Sequence, residues 1–290
     1  MSKQSLFKTE TAKVEILNLY DQKLKELAIK FQYIEVNTRF GQTTVIRTGD
    51  KQKPPIILVH GSNGCAPIAL ETYPNLSALF CVYAIDVLAQ PNKSAETRLD
   101  MKDDSYGEWM DEIIGQLKIE KVTMAGFSFG GLVILKTLEY NDSKIKEVFL
   151  TSPAYIVNGN PIMALFKVFI PIKRYMATKK LKYVEKFLSE LFSERDEFAI
   201  KYLSKVFLEF RMDFRPVPVI TRNKAKTINT PITIFASQND LMFPGKKLLN
   251  RASKIFPTLL NSKLLKNTKH VPSKEQNKLI ENWIMDWAEF

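Results

Sequence analysis

The spacing of hydrophobic residues changes along the chain and divides it into segments. Over residues 9–29, apolar residues recur every three or four positions, which predicts an amphipathic helix. Residues 31–38 and 43–47 instead alternate between apolar and polar, with residues 39–42 between them. This pattern predicts an antiparallel hairpin with Gly41 in the turn.

From residue 55 onward, short apolar runs alternate with helical stretches. Continuous apolar runs of this length are typical of strands buried on both faces, and they occupy residues 56–59, 82–85, 122–125, 148–150, 232–236 and 262–265. Crossover helices are predicted at residues 105–117 and 129–138, with a closing helix at 274–287. The order strand, helix, strand predicts an α/β fold, with a mostly parallel central sheet and helices on both faces.

A segment without the strand pattern interrupts this alternation. Residues 154–229 are rich in lysine and place apolar residues at helical spacing, as in Leu181, Val184, Phe187, Leu188 and Leu191. We therefore predict a single domain over residues 1–290 with an inserted helical cap at about 154–229. Aromatic residues of the cap are expected mainly to hold it together, and the alternative is that they line an apolar acyl pocket.

The charge of the chain is strongly basic and is concentrated in the cap. Lys and Arg outnumber Asp and Glu by 42 to 31, and residues 154–226 hold 15 basic against 7 acidic residues, a surplus of 8. Such a surplus suggests an anionic partner. No nucleic-acid motif accompanies it, so no nucleic-acid partner is expected. A solvated lysine face is the simpler interpretation, and attraction of anionic substrates or lipid surfaces is the alternative.

Nothing in the sequence predicts export, membrane insertion or metal binding. The first seven residues contain no apolar run of signal-peptide length, and the longest apolar stretch, residues 161–172, falls short of the roughly 20 residues that cross a bilayer. A cytoplasmic location without stable membrane insertion is therefore expected. Cys65 and Cys81 are predicted to be reduced thiols, and metal-ligand spacing is absent.

Residues 126–130, Gly-Phe-Ser-Phe-Gly, have the spacing and context of a nucleophile elbow. They follow a predicted buried strand and precede a predicted helix, and the two glycines permit a sharp turn between them. Ser128 is thus the candidate nucleophile. A serine hydroxyl needs a base to take its proton, and His270 follows the last predicted strand at the same edge of the sheet.

The other predicted site residues are expected at the same edge of the sheet. Asp240 comes after the strand at 232–236 and is predicted to orient His270, with a helix-capping turn aspartate as the alternative. The backbone N–H groups of Ser62 and Phe129 are predicted to form an oxyanion hole. His60 and Asp86 are interpreted as residues that brace nearby loops.

Together these residues resemble the α/β-hydrolase superfamily. Residues 39–43, 54–55, 60–61, 92–94 and 119–121 are similar to the carboxylesterase NP type within it. The resemblance covers the N-terminal part through about residue 153 and resumes over residues 232–276. Two positions depart from it: Lys269 stands where the family usually has glycine, and Asp240 where the carboxylesterase type allows glutamate.

The resemblance implies hydrolysis of carboxylic esters of small molecules through an acyl-enzyme on Ser128, without a cofactor. Alternatives on the same scaffold are thioester or carbon–carbon hydrolysis, cofactor-free peroxidation, or a slow-turnover ligand sensor. Dehalogenase and epoxide hydrolase chemistry is disfavoured because those families carry aspartate at the elbow. The oligomeric state is left open.

Overall fold

A computed structural model describes residues 5–288 and contains one central eight-stranded sheet. The strand order is β1-β2-β4-β3-β5-β6-β7-β8. Strands β1 and β2 form an antiparallel hairpin that also joins β4 in antiparallel fashion, and all other pairs are parallel. The strands are β1 Phe31–Thr38, β2 Gly41–Thr48, β3 Pro55–Val59, β4 Cys81–Ile85, β5 Val122–Phe127, β6 Ile145–Thr151, β7 Ile232–Ser237 and β8 Leu259–Leu265.

Eleven α-helices within the described residues surround the sheet. They are α1 Glu10–Glu26, α2 Ala66–Thr72, α3 Ser105–Gln116, α4 Phe129–Tyr140, α5 Pro161–Ala164, α6 Ile170–Thr178, α7 Lys182–Leu191, α8 Glu197–Glu209, α9 Arg222–Lys226, α10 Gly245–Ile255 and α11 Lys274–Ala288. A 3₁₀ turn spans Leu76–Ala78, and a π-helical turn, Leu165–Phe169, joins α5 to α6. Helices α5 to α9 lie between β6 and β7, so the predicted cap segment is helical.

Two hydrophobic cores cover the two faces of the sheet. In β3, Ile57 and Val59 belong to one core and Ile56 and Leu58 to the other, because successive side chains of a strand point to opposite faces. Helices α3, α4 and α10 pack in the first core, whereas α1, α2 and α11 pack in the second. Cap helices α6, α7 and α8 also contribute to the second core. The predicted α/β fold with helices on both faces is confirmed.

The hairpin differs from its prediction in one detail. Strand β2 begins at Gly41 rather than at Thr43, and only Arg39 and Phe40 connect the strands, with Thr38 paired to Gly41. Gly41 has a φ of +125°, a conformation that favours glycine, so it bends the chain although it already pairs with the neighbouring strand.

Two helices have no counterpart in the bounds that the sequence predicts. Helix α2 is short, and α10 carries only a narrow apolar stripe in a lysine-rich sequence.

The two cysteines are thiols, as the sequence predicts. Cys65 and Cys81 are both free and buried. Among residues 5–288, no helix combines the length and the apolar character needed to cross a bilayer. The cytoplasmic location stays a prediction.

Candidate active site

Ser128 occupies a sharp turn between β5 and α4. Its backbone has φ +52° and ψ −112°, a conformation that residues other than glycine rarely adopt. Three backbone hydrogen bonds hold this turn. The Ser128 N–H donates to the Thr151 carbonyl at 3.0 Å, and the Ser128 carbonyl accepts from the N–H of Gly131 at 2.9 Å and of Ala154 at 3.0 Å. Such strain persists only where the surroundings enforce it, as expected of a nucleophile elbow.

The glycines of the elbow stand where backbone segments approach one another closely. A Cβ atom on Gly130 would lie 2.1 Å from the carbonyl oxygen of Val59, and one on Gly126 would lie 2.6 Å from Cδ1 of Ile134. The backbone oxygen beside Gly130 cannot move aside as a flexible side chain can. Gly130 therefore lets the start of α4 pack directly against the end of β3.

We predict that Gly130→Ala lowers the free energy of unfolding by about 1–3 kcal/mol or more, because the added methyl group overpacks this contact. Denaturant unfolding followed by circular dichroism measures the change. Gly115→Ala is the matched control, since the nearest atom to its new Cβ is Lys144 Nζ at 3.8 Å. That variant is expected to be neutral or more stable by up to about 1 kcal/mol. Equal destabilisation by both substitutions would contradict the proposed role of Gly130.

The structure brings Ser128, His270 and Asp240 into one chain of hydrogen bonds. Nε2 of His270 lies 2.9 Å from Oγ of Ser128, and Nδ1 lies 2.8 Å from Oδ2 of Asp240. With the proton on Nδ1, the imidazole donates to the carboxylate and accepts from the serine hydroxyl. All three residues are buried, with 8%, 7% and 4% of Ser128, His270 and Asp240 exposed. Low exposure strengthens these interactions because little water competes for them.

The loops that carry the acid and the base are themselves joined. The Asn239 N–H donates to the Thr268 carbonyl at 2.8 Å, linking the loop after β7 to the loop after β8. Oδ1 of Asp240 accepts from the N–H of Met242 at 2.7 Å and of Phe243 at 3.0 Å. This carboxylate is therefore fixed from one side by its own loop while its other oxygen faces His270.

Aromatic rings enclose the imidazole. The ring centroid of Phe127 lies 5.1 Å from that of His270, and the centroid of Phe243 lies 5.5 Å from it. Phe127 immediately precedes Ser128, and Phe243 belongs to the loop of Asp240. Contacts on these sides restrict rotation of the imidazole away from its two partners.

The cap holds the backbone on both sides of His270, a feature that sequence reasoning missed. The Lys269 N–H donates to Oγ of Ser193 at 3.0 Å, and this hydroxyl donates to the Val271 carbonyl at 2.8 Å. The Ser193 N–H also donates to the Val271 carbonyl at 3.0 Å, and the Val271 N–H donates to the Leu191 carbonyl at 2.8 Å. We call these contacts the Ser193 bridge. No local pattern signals it, because its partners are more than 70 residues apart in sequence.

Lys269 fits its position without the backbone freedom of glycine. It is not among the described residues with positive φ, so a lysine there causes no backbone strain. Its ammonium Nζ donates to the Ser189 carbonyl at 2.5 Å, in the last turn of α7. A cation is favourable at the C-terminal end of a helix, and this contact directs the charge toward the cap.

The two residues predicted to supply oxyanion donors flank Ser128. An ideal Cβ on Gly61, which precedes Ser62, would lie 3.4 Å from Cβ of Ser128, so this loop borders the serine. Phe129 is the first residue of α4. Within the described part of the chain, neither the Ser62 N–H nor the Phe129 N–H donates a hydrogen bond. Both donors are thus available to a ligand, and their role in an oxyanion hole stays a prediction.

His60 and Asp86 brace loops, as the sequence indicated. Nδ1 of His60 lies 2.7 Å from the Gly61 carbonyl, while Nε2 accepts from the Val87 N–H at 3.0 Å. Burial lowers the pKa of His60 to about 4 and keeps the ring neutral at neutral pH. Asp86 accepts from the Ala66 N–H at 2.7 Å, and burial raises its pKa to about 7. Neither residue belongs to the hydrogen-bond chain at Ser128.

The fold and the hydrogen-bonded serine, histidine and aspartate define the class of protein. The family model described as the alpha/beta hydrolase fold matches residues 54–201, which is half of the chain. The chain belongs to this family.

Similar proteins within the family are carboxylesterases of Bacillus subtilis (strain 168). The chain is 25% identical over 286 residues to the uncharacterized carboxylesterase nap, a match that covers 92% of this chain and 89% of that protein. It is also 25% identical over 283 residues to carboxylesterase YbfK, covering 92% and 91%. The crystal structure of naproxen esterase (carboxylesterase NP) from B. subtilis superposes with a TM-score of 0.83 at 22% identity, covering 96% of this chain and 99% of that one. The resemblance to the carboxylesterase NP type is confirmed.

Proposed function

We propose that the protein is a serine hydrolase that cleaves carboxylic esters of small molecules through an acyl-enzyme on Ser128. The observation that carries the proposal is the unbroken hydrogen-bond chain from Oγ of Ser128 through the imidazole of His270 to Asp240. The carboxylesterase names of its relatives support the choice of ester substrates.

In the first half of the reaction, Oγ of Ser128 attacks the ester carbonyl carbon while Nε2 of His270 takes the hydroxyl proton. Negative charge develops on the former carbonyl oxygen, and the N–H groups of Ser62 and Phe129 stabilise it. Asp240 stabilises the positive charge that forms on the imidazole. His270 then gives the proton to the leaving alkoxide oxygen, the carbon–oxygen bond breaks, and the acyl group remains on Ser128.

The second half repeats these steps with water as the nucleophile. His270 removes a proton from water, the hydroxide attacks the acyl carbonyl, and the tetrahedral intermediate collapses. The bond to Oγ breaks, the proton on His270 returns to Ser128, and the carboxylic acid leaves. In both halves His270 carries the proton between the nucleophile, which is Ser128 or water, and the leaving oxygen, so the cycle as proposed uses no cofactor.

A series of nitrophenyl esters graded by acyl length tests the proposal. Only 8% of Ser128 is exposed, so little space at the nucleophile is open to a long acyl chain. We therefore expect acetyl and butyryl esters to be hydrolysed faster than the decanoyl ester. Kcat/KM for each ester is the measurement.

Labelling with a fluorophosphonate provides the control for the assignment of the nucleophile. Peptide mapping by mass spectrometry is expected to place the label on Ser128. Labelling of Ser128 without turnover of any ester would contradict an esterase and indicate a slow-turnover ligand sensor. Turnover with the label on another residue would contradict the assigned nucleophile.

A further inference from the structure

The first helical segment of the cap exposes large apolar side chains to solvent. Ile162 is 64% exposed, Met163 41%, Leu165 48% and Phe166 61%. We call these four residues the apolar cap edge. Clusters of this kind on a protein surface commonly mark an interaction site, because their solvation is unfavourable.

The same segment also has an inward-facing apolar side. Val168 and Ile172 are buried in the second core together with Tyr175. The segment is therefore anchored by one face, and the apolar cap edge does not stabilise the cap by packing within it. The exposed side needs an explanation other than the hydrophobic core.

Another aromatic residue extends the exposed surface. Phe214 is 45% exposed, and its ring centroid lies 5.9 Å from that of Phe169, in the π-helical turn that includes Leu165 and Phe166. Nζ of Lys173 lies 5.8 Å from the centroid of the Phe214 ring. Apolar rings and a cation therefore occupy the same part of the cap surface.

Along the sequence, the charged residues of the segment that contains the apolar cap edge are all positive. Residues 148–184 contain six Lys or Arg residues and no Asp or Glu. Lys167 pairs with Glu190 at 2.9 Å. The other five are exposed and have no ion-pair partner within residues 5–288: Lys173, Arg174, Lys179, Lys180 and Lys182. Leu181, between two of these lysines, is itself 53% exposed.

Charge and apolarity together select one class of partner. A second copy of the chain would bring the same positive surface against itself, which is unfavourable. An anionic bilayer accommodates both features, since apolar side chains enter the boundary between headgroups and acyl chains while Lys and Arg contact phosphates. We propose that the apolar cap edge and its flanking cations dock the protein peripherally on anionic phospholipid surfaces.

This docking goes beyond the proposed ester hydrolysis and does not depend on it. The cap would lie against the headgroups while the sheet stays in water, which is compatible with the absence of a membrane-crossing helix in the described residues. Because binding is measured without turnover, failure of docking leaves the esterase assignment intact, and failure of the esterase assignment leaves docking intact.

Co-sedimentation of the full chain with lipid vesicles tests the proposal. We expect at least about tenfold stronger binding to phosphatidylcholine vesicles containing about 30% phosphatidylglycerol than to pure phosphatidylcholine. Raising the salt concentration to about 0.5 M is expected to remove most of this difference, because the headgroup attraction is screened. Equal binding to both vesicles, or none to the anionic ones, would overturn the proposal.

Two variants separate the apolar and charged contributions. The double substitution Ile162→Ser and Phe166→Ser, and the triple substitution Lys173→Gln, Arg174→Gln and Lys180→Gln, are each expected to weaken anionic-vesicle binding by about tenfold or more. These side chains are exposed, so the variants should keep the wild-type circular dichroism spectrum and their hydrolysis of soluble nitrophenyl esters.

Matched controls change exposed residues outside the cap. Leu260→Ser with Leu279→Ser removes two apolar side chains of 49% and 47% exposure, and Lys25→Gln, Lys30→Gln and Lys51→Gln removes three exposed charges. Both controls are expected to bind anionic vesicles as the wild type does. Equal losses in the controls and the cap variants would overturn docking through the cap. A concentration-dependent dimer in light scattering, abolished only by Ile162→Ser with Phe166→Ser, would assign the edge to a second copy instead.

Discussion

Ser128→Ala is expected to reduce kcat for nitrophenyl ester hydrolysis by about 10⁴-fold or more, with little change in stability. The substitution removes the only hydroxyl that contacts His270 within the described residues, so no acyl-enzyme can form. Binding and the oxyanion donors alone would leave a small residual rate. Steady-state kinetics, with circular dichroism to verify the fold, measure the loss.

Ser152→Ala is the control for this substitution. Ser152 is also buried and lies just after β6, but its hydroxyl is 2.9 Å from that of Ser237 and not in contact with His270. We expect its kcat to change by less than about tenfold, because only a neutral hydrogen bond is lost. Ser128→Ala with more than about a tenth of wild-type turnover would refute the proposed mechanism.

Asp240→Asn is expected to lower kcat by about 10³- to 10⁴-fold while KM changes little. The asparagine oxygen can still accept from the N–H groups of Met242 and Phe243, which places its NH₂ group against Nδ1 of His270. Nδ1 must then accept, so the ring proton moves to Nε2. A protonated Nε2 cannot take the proton of Ser128.

Asp196→Asn provides a chemically identical substitution as the control. Asp196 caps α8 by accepting from the Ala199 N–H at 2.9 Å, and asparagine caps helices about as well as aspartate. Both kcat and stability should therefore stay at wild-type values. If Asp240→Asn retained comparable activity, the carboxylate would have no role in fixing the histidine tautomer.

The juxtaposition of Ser128, Asp240 and His270 could be predicted because each follows a strand of the same parallel sheet. The carboxyl ends of parallel strands lie at one edge of the sheet, so residues that follow these strands come close together even when they are far apart in sequence. The sharp turn at Ser128 could also be predicted, because the glycines around it leave room for close backbone contacts. Their catalytic roles remain predictions.

Other features depend on contacts that local sequence does not encode. The Ser193 bridge joins two loops whose polar residues look ordinary in sequence. In the cap, Tyr175, Phe207 and Phe210 are buried, as expected of residues that hold it together, whereas Phe166 is largely exposed. Helical periodicity gives the relative positions of these residues. Periodicity does not show which side of an all-apolar helix packs against another element and which side is exposed.

Through the Ser193 bridge, the cap also holds the backbone of the active-site histidine in position. If the end of α7 moved away as a lid does, the strand-like pairing of Phe192 with Val271 and the hydrogen bonds to Lys269 would break. The imidazole would then lose the backbone restraint that aligns it between serine and carboxylate. Any movement of this end of α7 would therefore change the alignment of the base, so the position of the cap and proton transfer by His270 are coupled.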